Sequence, residues 1–216
     1  MGRRQQLGEV IIEACLAMNG SELNQGKSGN ISYRFKNGCL ITPSGMDYSE
    51  LVPDDMTWVD QQGNFDGRRK PSSEWRMHLD IYRRHKLAKA VVHAHPAYAT
   101  ALACLNKDIP AFHYMVAIAG GKDIRCAEYA TFGSAELSRN MLIALKDRSA
   151  CLLANHGIIA FGRDLKEALW RAGEVELLAK QYLLSLAAGE PVCLTDEQMD
   201  EALERFRDYG KQPTSC

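Results

Sequence analysis

Ile31-Ser32-Tyr33-Arg34-Phe35-Lys36-Asn37-Gly38-Cys39-Leu40-Ile41-Thr42 reads as two strands and a tight turn. The strands are Ile31–Phe35 and Cys39–Thr42, rich in β-branched, aromatic and apolar residues. Asn37-Gly38 joins them, a pair that tolerates the positive φ of a type I′ turn. A hairpin this tight demands antiparallel pairing, so the sheet it belongs to is antiparallel or mixed.

Outward from the hairpin, strands and helices mix. Leu7, Val10, Ile11, Ala14 and Met18 keep helical spacing and predict an opening amphipathic helix. A Gly- and Asn-rich stretch, 24–30, leads from it into the hairpin. A short strand is expected near Thr57–Asp60, and buried strands at Val91–His95 and Cys151–Ala154. The apolar run His113–Ile118 predicts another strand. Ser72-Ser73 before Glu74-Trp75 reads as a serine-capped helix start. Ser138, Met141, Leu142 and Leu145 mark a further helix. Asp164-x-x-Glu167 and Thr195-x-x-Gln198 open two more, with apolar stripes behind them. The expected class is α/β, helices packed on a central sheet.

The chain has 216 residues, 46% hydrophobic and 25% charged, which suits a single domain over 1–216. A formal net charge of -1 supplies no field to draw nucleic acid or an acidic membrane. Arg68-Arg69-Lys70 is a short basic cluster that reads as solvated surface. No apolar run approaches the roughly 20 residues of a membrane span. Gly2 lacks the partner a myristoylation motif wants, because position 6 is Gln6. Seven cysteines form no C-x-x-C pair, so free thiols in a reducing cytoplasm are expected.

His93-Ala94-His95 carries the chemistry. On a strand, alternation sends both imidazoles to one face and Ala94 to the other. Two nitrogens so placed can share one ion, and Pro96 ends the strand where a ligand can enter. Cys151–Ala154 followed by Asn155-His156-Gly157 repeats the pattern of an apolar strand and a terminal histidine. Three histidines at two strand ends match the open three-ligand layout of catalytic zinc. His78 and His85, seven apart on one helix, read as packing or surface residues, and His113 as a hydrogen-bonded core residue. Glu74 begins a helix beside Ser72 and Ser73, whose hydroxyls and amides suit an anion. Carboxylate, metal and anion pocket together suit metal-assisted proton transfer next to a carbonyl. Gly26-Lys27-Ser28-Gly29-Asn30 fails the P-loop pattern, yet its glycines let amides approach an anion. Thr42-Pro43-Ser44-Gly45 is a second turn of small donors.

The chain resembles class II aldolases of the L-fuculose-1-phosphate aldolase type over nearly its whole length. The resemblance rests on Leu23-Asn24-Gln25-Gly26 with Gly29-Asn30, Leu40–Pro43, Pro71–Trp75 and Val91–His95. It also rests on Ile109–Ala111 with His113-Tyr114-Met115, on Tyr129–Gly133, and on Asn155-His156-Gly157. It implies a three-layer α/β/α domain with a central, mainly antiparallel sheet, assembled as a homotetramer with active sites between subunits. It implies Zn2+ on His93, His95 and His156, with Glu74 near or on the metal. Phosphate contacts fall on Gly29, Asn30, Ser44, Gly45, Ser72 and Ser73. Tyr114 falls where the family has a tyrosine that serves the aldehyde-side oxygen from a neighbouring subunit, and Tyr209 resembles a closing C-terminal tyrosine.

The implied reaction is retro-aldol cleavage of a ketose 1-phosphate to dihydroxyacetone phosphate and a short aldehyde, L-lactaldehyde if the substrate is fuculose 1-phosphate. Glu74 would carry the proton, and no lysine Schiff base is needed. Aldolases for 5-deoxyribulose or methylthioribulose 1-phosphate and sugar-phosphate 4-epimerases share the scaffold; the epimerases typically carry aspartate where this chain has Glu74. A non-catalytic adducin-head-like interaction domain lacks the histidines present here.

Overall fold

The computed structural model describes residues 2–207. Helix α1, Arg3–Gly20, buries Gly8, Ile11, Ala14, Cys15 and Met18. Val10, expected on that stripe, stands at its edge and is 40% exposed. Strands β1 (Asn30–Phe35) and β2 (Gly38–Ile41) form the hairpin. Phe35 pairs with Gly38, so the turn is Lys36-Asn37, one residue earlier than expected, with Lys36 at φ 51°. The shift has a steric cause. Gly38 lies inside β2, where an added Cβ would strike the Val59 carbonyl of β3 (Thr57–Val59).

The chain continues through β4 (Phe65–Asp66), α2 (Trp75–Arg84), β5 (Ala90–Ala94) and α3 (Ala97–Cys104). Residues 114–119, expected as strand, form a 3-10 helix instead. His113 caps it, its ring accepting from the Met115 amide at 3.1 Å, and is half-buried rather than a core residue. The run Val116–Ala119 is buried throughout, and a short all-apolar run carries no period to tell strand from helix. After β6 (Cys126–Ala127) come α4 (Ala135–Ala144), β7 (Ala150–Leu153), β8 (Gly157–Gly162), α5 (Leu165–Ala188) and α6 (Asp196–Phe206). Asp164 caps α5, and Thr195 and Gln198 form the full capping box of α6.

The eight strands lie in the order β4-β3-β2-β1-β5-β8-β7-β6. Every pairing is antiparallel except β6 with β7. Strand alternation divides the apolar residues into two cores. Ile31, Leu40, Val92, Leu152 and Ile158 join residues of α1, α3, α5 and α6 on one side. Cys39, Ile41, Val91, Cys151 and Ile159 join α2 and α4 on the other. Helices therefore cover both faces, and the architecture is the expected α/β/α sandwich with a mainly antiparallel sheet.

Arg68 and Arg69 are not merely solvated. Both reach Asp55, at 2.8 and 2.9 Å, whose side chain is 1% exposed. That ion pair ties down the segment running into Pro71-Ser72.

Candidate active site

Antiparallel register places Asn30 beside His93, and His93 beside Ile159 on β8. His93 therefore points to the α2 side of the sheet, with Val91. His95 follows just after β5, and His156 lies in the turn between β7 and β8. In that turn Asn155 takes φ 53°, a left-handed value asparagine accepts readily. Gly157 keeps the turn narrow: a Cβ there would lie 2.6 Å from Cδ2 of His95.

The three imidazoles converge. Their candidate ligand atoms all lie within 4.8 Å of one another. Nε2 of His93 is 3.0 Å from Nε2 of His95 and 3.0 Å from Oε2 of Glu74. Nε2 of His156 is 3.2 Å from Oε1 of Glu74. His93 donates through Nδ1 to the Ile158 carbonyl at 2.7 Å, since a carbonyl only accepts. Its Nε2 is thereby turned toward the cluster as a lone pair or as a second, charged N–H.

Glu74 is the N-cap residue of α2, but its side chain does not cap the helix. Nor does serine cap as expected; Ser72 Oγ accepts from the Glu74 amide at 3.3 Å. The carboxylate is turned to the histidines and is nearly buried. Burial works to raise its pKa, but the charges of His93 and His156 and their hydrogen bonding outweigh it and hold the carboxyl far below the usual range. Burial pushes His95 down to about 3, with His93 and His156 adding repulsion. His93 moves up, because Glu74 overcomes the burial penalty. Nitrogen and carboxylate lone pairs this close need a proton or a cation among them. Oε1 of Glu74, buried with no aligned hydrogen bond, marks the same shortage of positive charge. Three imidazoles and a carboxylate fit a divalent ion of the zinc type.

The predicted anion segments also meet. An added Cβ at Gly29 would lie 2.7 Å from the His93 carbonyl oxygen, so that loop packs directly on β5. Pro43 bridges to Pro71, Ser44 N donates to Lys70 O at 3.1 Å, and Ser72 N donates to Thr42 O at 2.9 Å. Turns 42–45 and 70–73 therefore lie side by side. Asn30 contributes differently from what was expected: its side chain donates to Glu74 Oε2 at 2.9 Å and meets His78 Nε2 at 2.6 Å.

A cavity of about 320 Å³ opens over the cluster, lined by Ser28, Ser73, Glu74, His95 and His156 together with Tyr129, Ala130, Phe132 and Asn155. Ser28 belongs to the expected anion loop, whereas Tyr129 and Phe132 had no assigned role from sequence reasoning. The two aromatics are 61% and 64% exposed, and only tertiary placement aims them at the cavity. A larger cleft of about 750 Å³, between the start of α5 and the end of α6, is lined by none of the histidines. Tyr114 does not line the histidine cavity; it is 53% exposed and stacks on His113 with ring centroids 4.8 Å apart. Tyr209 lies outside the described residues.

The profile of the Class II Aldolase and Adducin N-terminal domain matches residues 9–183. The chain belongs to this family. A 5-methylthioribulose-1-phosphate/5-deoxyribulose-1-phosphate aldolase of Rhodospirillum rubrum is 51% identical over 209 residues, 97% of this chain and 95% of that protein. The L-fuculose phosphate aldolase of Escherichia coli K12 is 48% identical over 208 residues, 96% of this chain and 97% of that one. A solved L-fuculose 1-phosphate aldolase superposes with a TM-score of 0.91 at 43% identity, covering 95% of this chain and all of its own. Class II aldolases depend on a metal, and His93, His95 and His156 form a three-histidine group that could hold one.

Proposed function

We propose that this class II aldolase family member, acting as one domain over 1–216, cleaves a ketose 1-phosphate between C3 and C4. The products are dihydroxyacetone phosphate and a short aldehyde. One observation carries the reading: the nitrogens of His93 and His156 close on the Glu74 carboxylate at 3.0 and 3.2 Å, under a cavity that Ser28 and Ser73 also line.

His93, His95 and His156 would hold the ion, zinc being the best match to three imidazoles. Bound there, it supplies Lewis acidity toward the negative charge that develops on the substrate's oxygens as the C3–C4 bond breaks. The chain's own groups handle the rest. Gly29, Ser44, Gly45, Ser72 and Ser73 receive the phosphate, at paired turns and beside a helix start that favour an anion, while the side chain of Asn30 is committed to Glu74 and His78. In the synthetic direction the Glu74 carboxylate removes a proton from C3, and in cleavage it takes up a proton from solvent and passes it to C3 once the bond has opened. The C4 hydroxyl loses its proton as it becomes the aldehyde, and Tyr114 exchanges that proton. Tyr114 is exposed and away from its own cavity, which supports supply from a neighbouring subunit of a homotetramer. Tyr209 would close over the substrate.

No helix among the described residues is long and apolar enough to cross a membrane. The described cysteines are all free, which suits a reducing cytoplasm.

Kinetics on a panel of ketose 1-phosphates, with product analysis, tests the reading. Fuculose 1-phosphate would yield L-lactaldehyde. The 51% identical relative makes 5-deoxyribulose and 5-methylthioribulose 1-phosphates the second arm of the panel. Release of triose phosphate that stops on chelation and returns with zinc is the expected result. Epimerised product of unchanged chain length, or no turnover on any member, would overturn it.

A further inference from the structure

We infer that His78, which does not touch Glu74, is a positioning residue that aims the Glu74 carboxylate through the side chain of Asn30. The inference rests on the proposed role of Glu74 as proton carrier.

Glu74, His78 and Tyr82 fall four residues apart, one above another on the face of α2 that meets the sheet. Opposite them, Asn30 and Ser32 alternate on one face of β1. The two spacings match closely enough for the rows to interlock. His78 and Ser32 are fully buried and Asn30 nearly so. Four contacts connect them: Asn30 Nδ2 to Glu74 Oε2 at 2.9 Å, His78 Nε2 to Asn30 Oδ1 at 2.6 Å, Ser32 Oγ to His78 Nδ1 at 2.7 Å, and Ser32 Oγ to Tyr82 Oη at 2.8 Å.

Chemistry decides every proton in this row. An ionised carboxylate only accepts, so the amide nitrogen of Asn30 must face Glu74. Its carbonyl oxygen then faces His78 and only accepts, so His78 carries a hydrogen on Nε2. Burial holds the imidazole neutral, with its pKa pushed down to about 3. Nδ1 is therefore an acceptor, and the single hydroxyl hydrogen of Ser32 points at it. Tyr82 in turn donates to Ser32 at 2.8 Å, the Lys89 carbonyl lying farther from its hydroxyl, at 3.4 Å. All four donors point the same way, toward Glu74, and bonds polarised in series strengthen one another.

An asparagine amide can rotate by half a turn at little steric cost. The Nε2–H of His78 blocks that rotation, because the flipped amide would set N–H against N–H and oxygen against carboxylate. The carboxylate therefore always meets a donor on Oε2. A proton carrier needs this constancy, since a small misplacement is felt directly in the rate.

The test uses full-length, zinc-loaded enzyme. It compares His78→Leu, which removes the donor, with His78→Gln, which restores an N–H near the Nε2 position. His78→Leu should retain its metal and keep KM within about threefold. Turnover and exchange of the C3 hydrogen of dihydroxyacetone phosphate with solvent, measured without aldehyde, should fall together by ~10–100-fold, the usual effect of losing an outer-shell partner. His78→Gln should recover most of both rates. A folded, metal-loaded His78→Leu enzyme exchanging within twofold of wild type would overturn the inference. Should His78→Leu fail to fold, 15N-histidine NMR of the wild-type zinc enzyme decides: a proton on Nε2 of His78 upholds the relay, and one on Nδ1 breaks it. A wild-type enzyme that cleaves no ketose 1-phosphate is a separate outcome, overturning the proposed function and leaving the NMR result to judge the relay.

Discussion

His93 and Ile158 stand 65 residues apart, and their 2.7 Å bond decides which nitrogen of His93 faces the cavity. With Nδ1 committed to a carbonyl, Nε2 is the atom left for the cluster, and the ring cannot turn without stranding a buried group. Backbone support of this kind is typical behind metal-binding imidazoles. Removing a ligand ring should therefore abolish tight metal binding while the sheet survives. His93→Ala and His156→Ala are expected to hold well under one ion per chain after dialysis, read by elemental analysis. Full occupancy in both would refute the ligand set.

Glu74→Gln keeps volume and shape but removes the ionisable group. Turnover should drop by ~10²–10⁴-fold, the worth of a positioned acid–base residue, with the three histidines still binding metal. Near-normal turnover in a metal-loaded Glu74→Gln enzyme would take Glu74 out of the proton transfer.

Gly157→Ala probes how narrow the turn beneath the three-histidine cluster must be. The new Cβ would strike the Ala94 carbonyl and lie 2.6 Å from Cδ2 of His95. Overpacking of this kind costs about 1–3 kcal/mol. A lower denaturation midpoint and weaker zinc affinity should appear together, the second because the His95 ring is displaced. Unchanged zinc affinity would mean that the turn yields without moving His95.

His78 gives the pH dependence a sign. Its folded pKa is lowered from 6.5 to about 3 by burial, so between those values the unfolded chain binds the extra proton. Stability from this group is intact above pH 6.5 and is lost as pH falls toward 3. The loss is at most about 1.4 kcal/mol per pH unit for one proton. Other groups titrate in the same window, so the informative quantity is the difference between metal-free wild type and His78→Gln. The wild type should lose stability more steeply on acidification. Parallel curves would show that His78 is not buried as a neutral ring.

Asp55 anchors Arg68 and Arg69 and also accepts from the Val52 amide at 3.0 Å. Asp55→Asn should destabilise by about 1–3 kcal/mol, because buried charge-assisted bonds are lost. Arg68→Ala alone should cost about 1 kcal/mol or less, since that side chain is half exposed and Arg69 remains. Urea denaturation of the two variants tests the ranking, and equal losses would contradict it.

Local rules made much of the molecule legible from sequence. The hairpin, the strand that carries His93, and the starts of α5 and α6 follow from alternation and capping, which act over a few neighbouring residues. The same locality explains the errors. The Lys36-Asn37 turn is set one residue early by the Val59 backbone against Gly38, a contact the hairpin's own residues cannot reveal. The Val116–Ala119 run has no period to read, so its helical turn emerged only in place.

The sequence by itself singled out the residues that the fold brings together, His93, His95, His156 and Glu74, from residue chemistry, strand alternation and family resemblance. Only the tertiary structure decided that β1 lies between β2 and β5, with β8 on the far side of β5. That order sets Asn30 on Glu74, hides the row from Tyr82 to Glu74, and turns Tyr129 and Phe132 to the cavity. The physical reason is that strand order is settled by contacts between distant segments, and the energy of each contact belongs to the pair and leaves no mark on either segment alone.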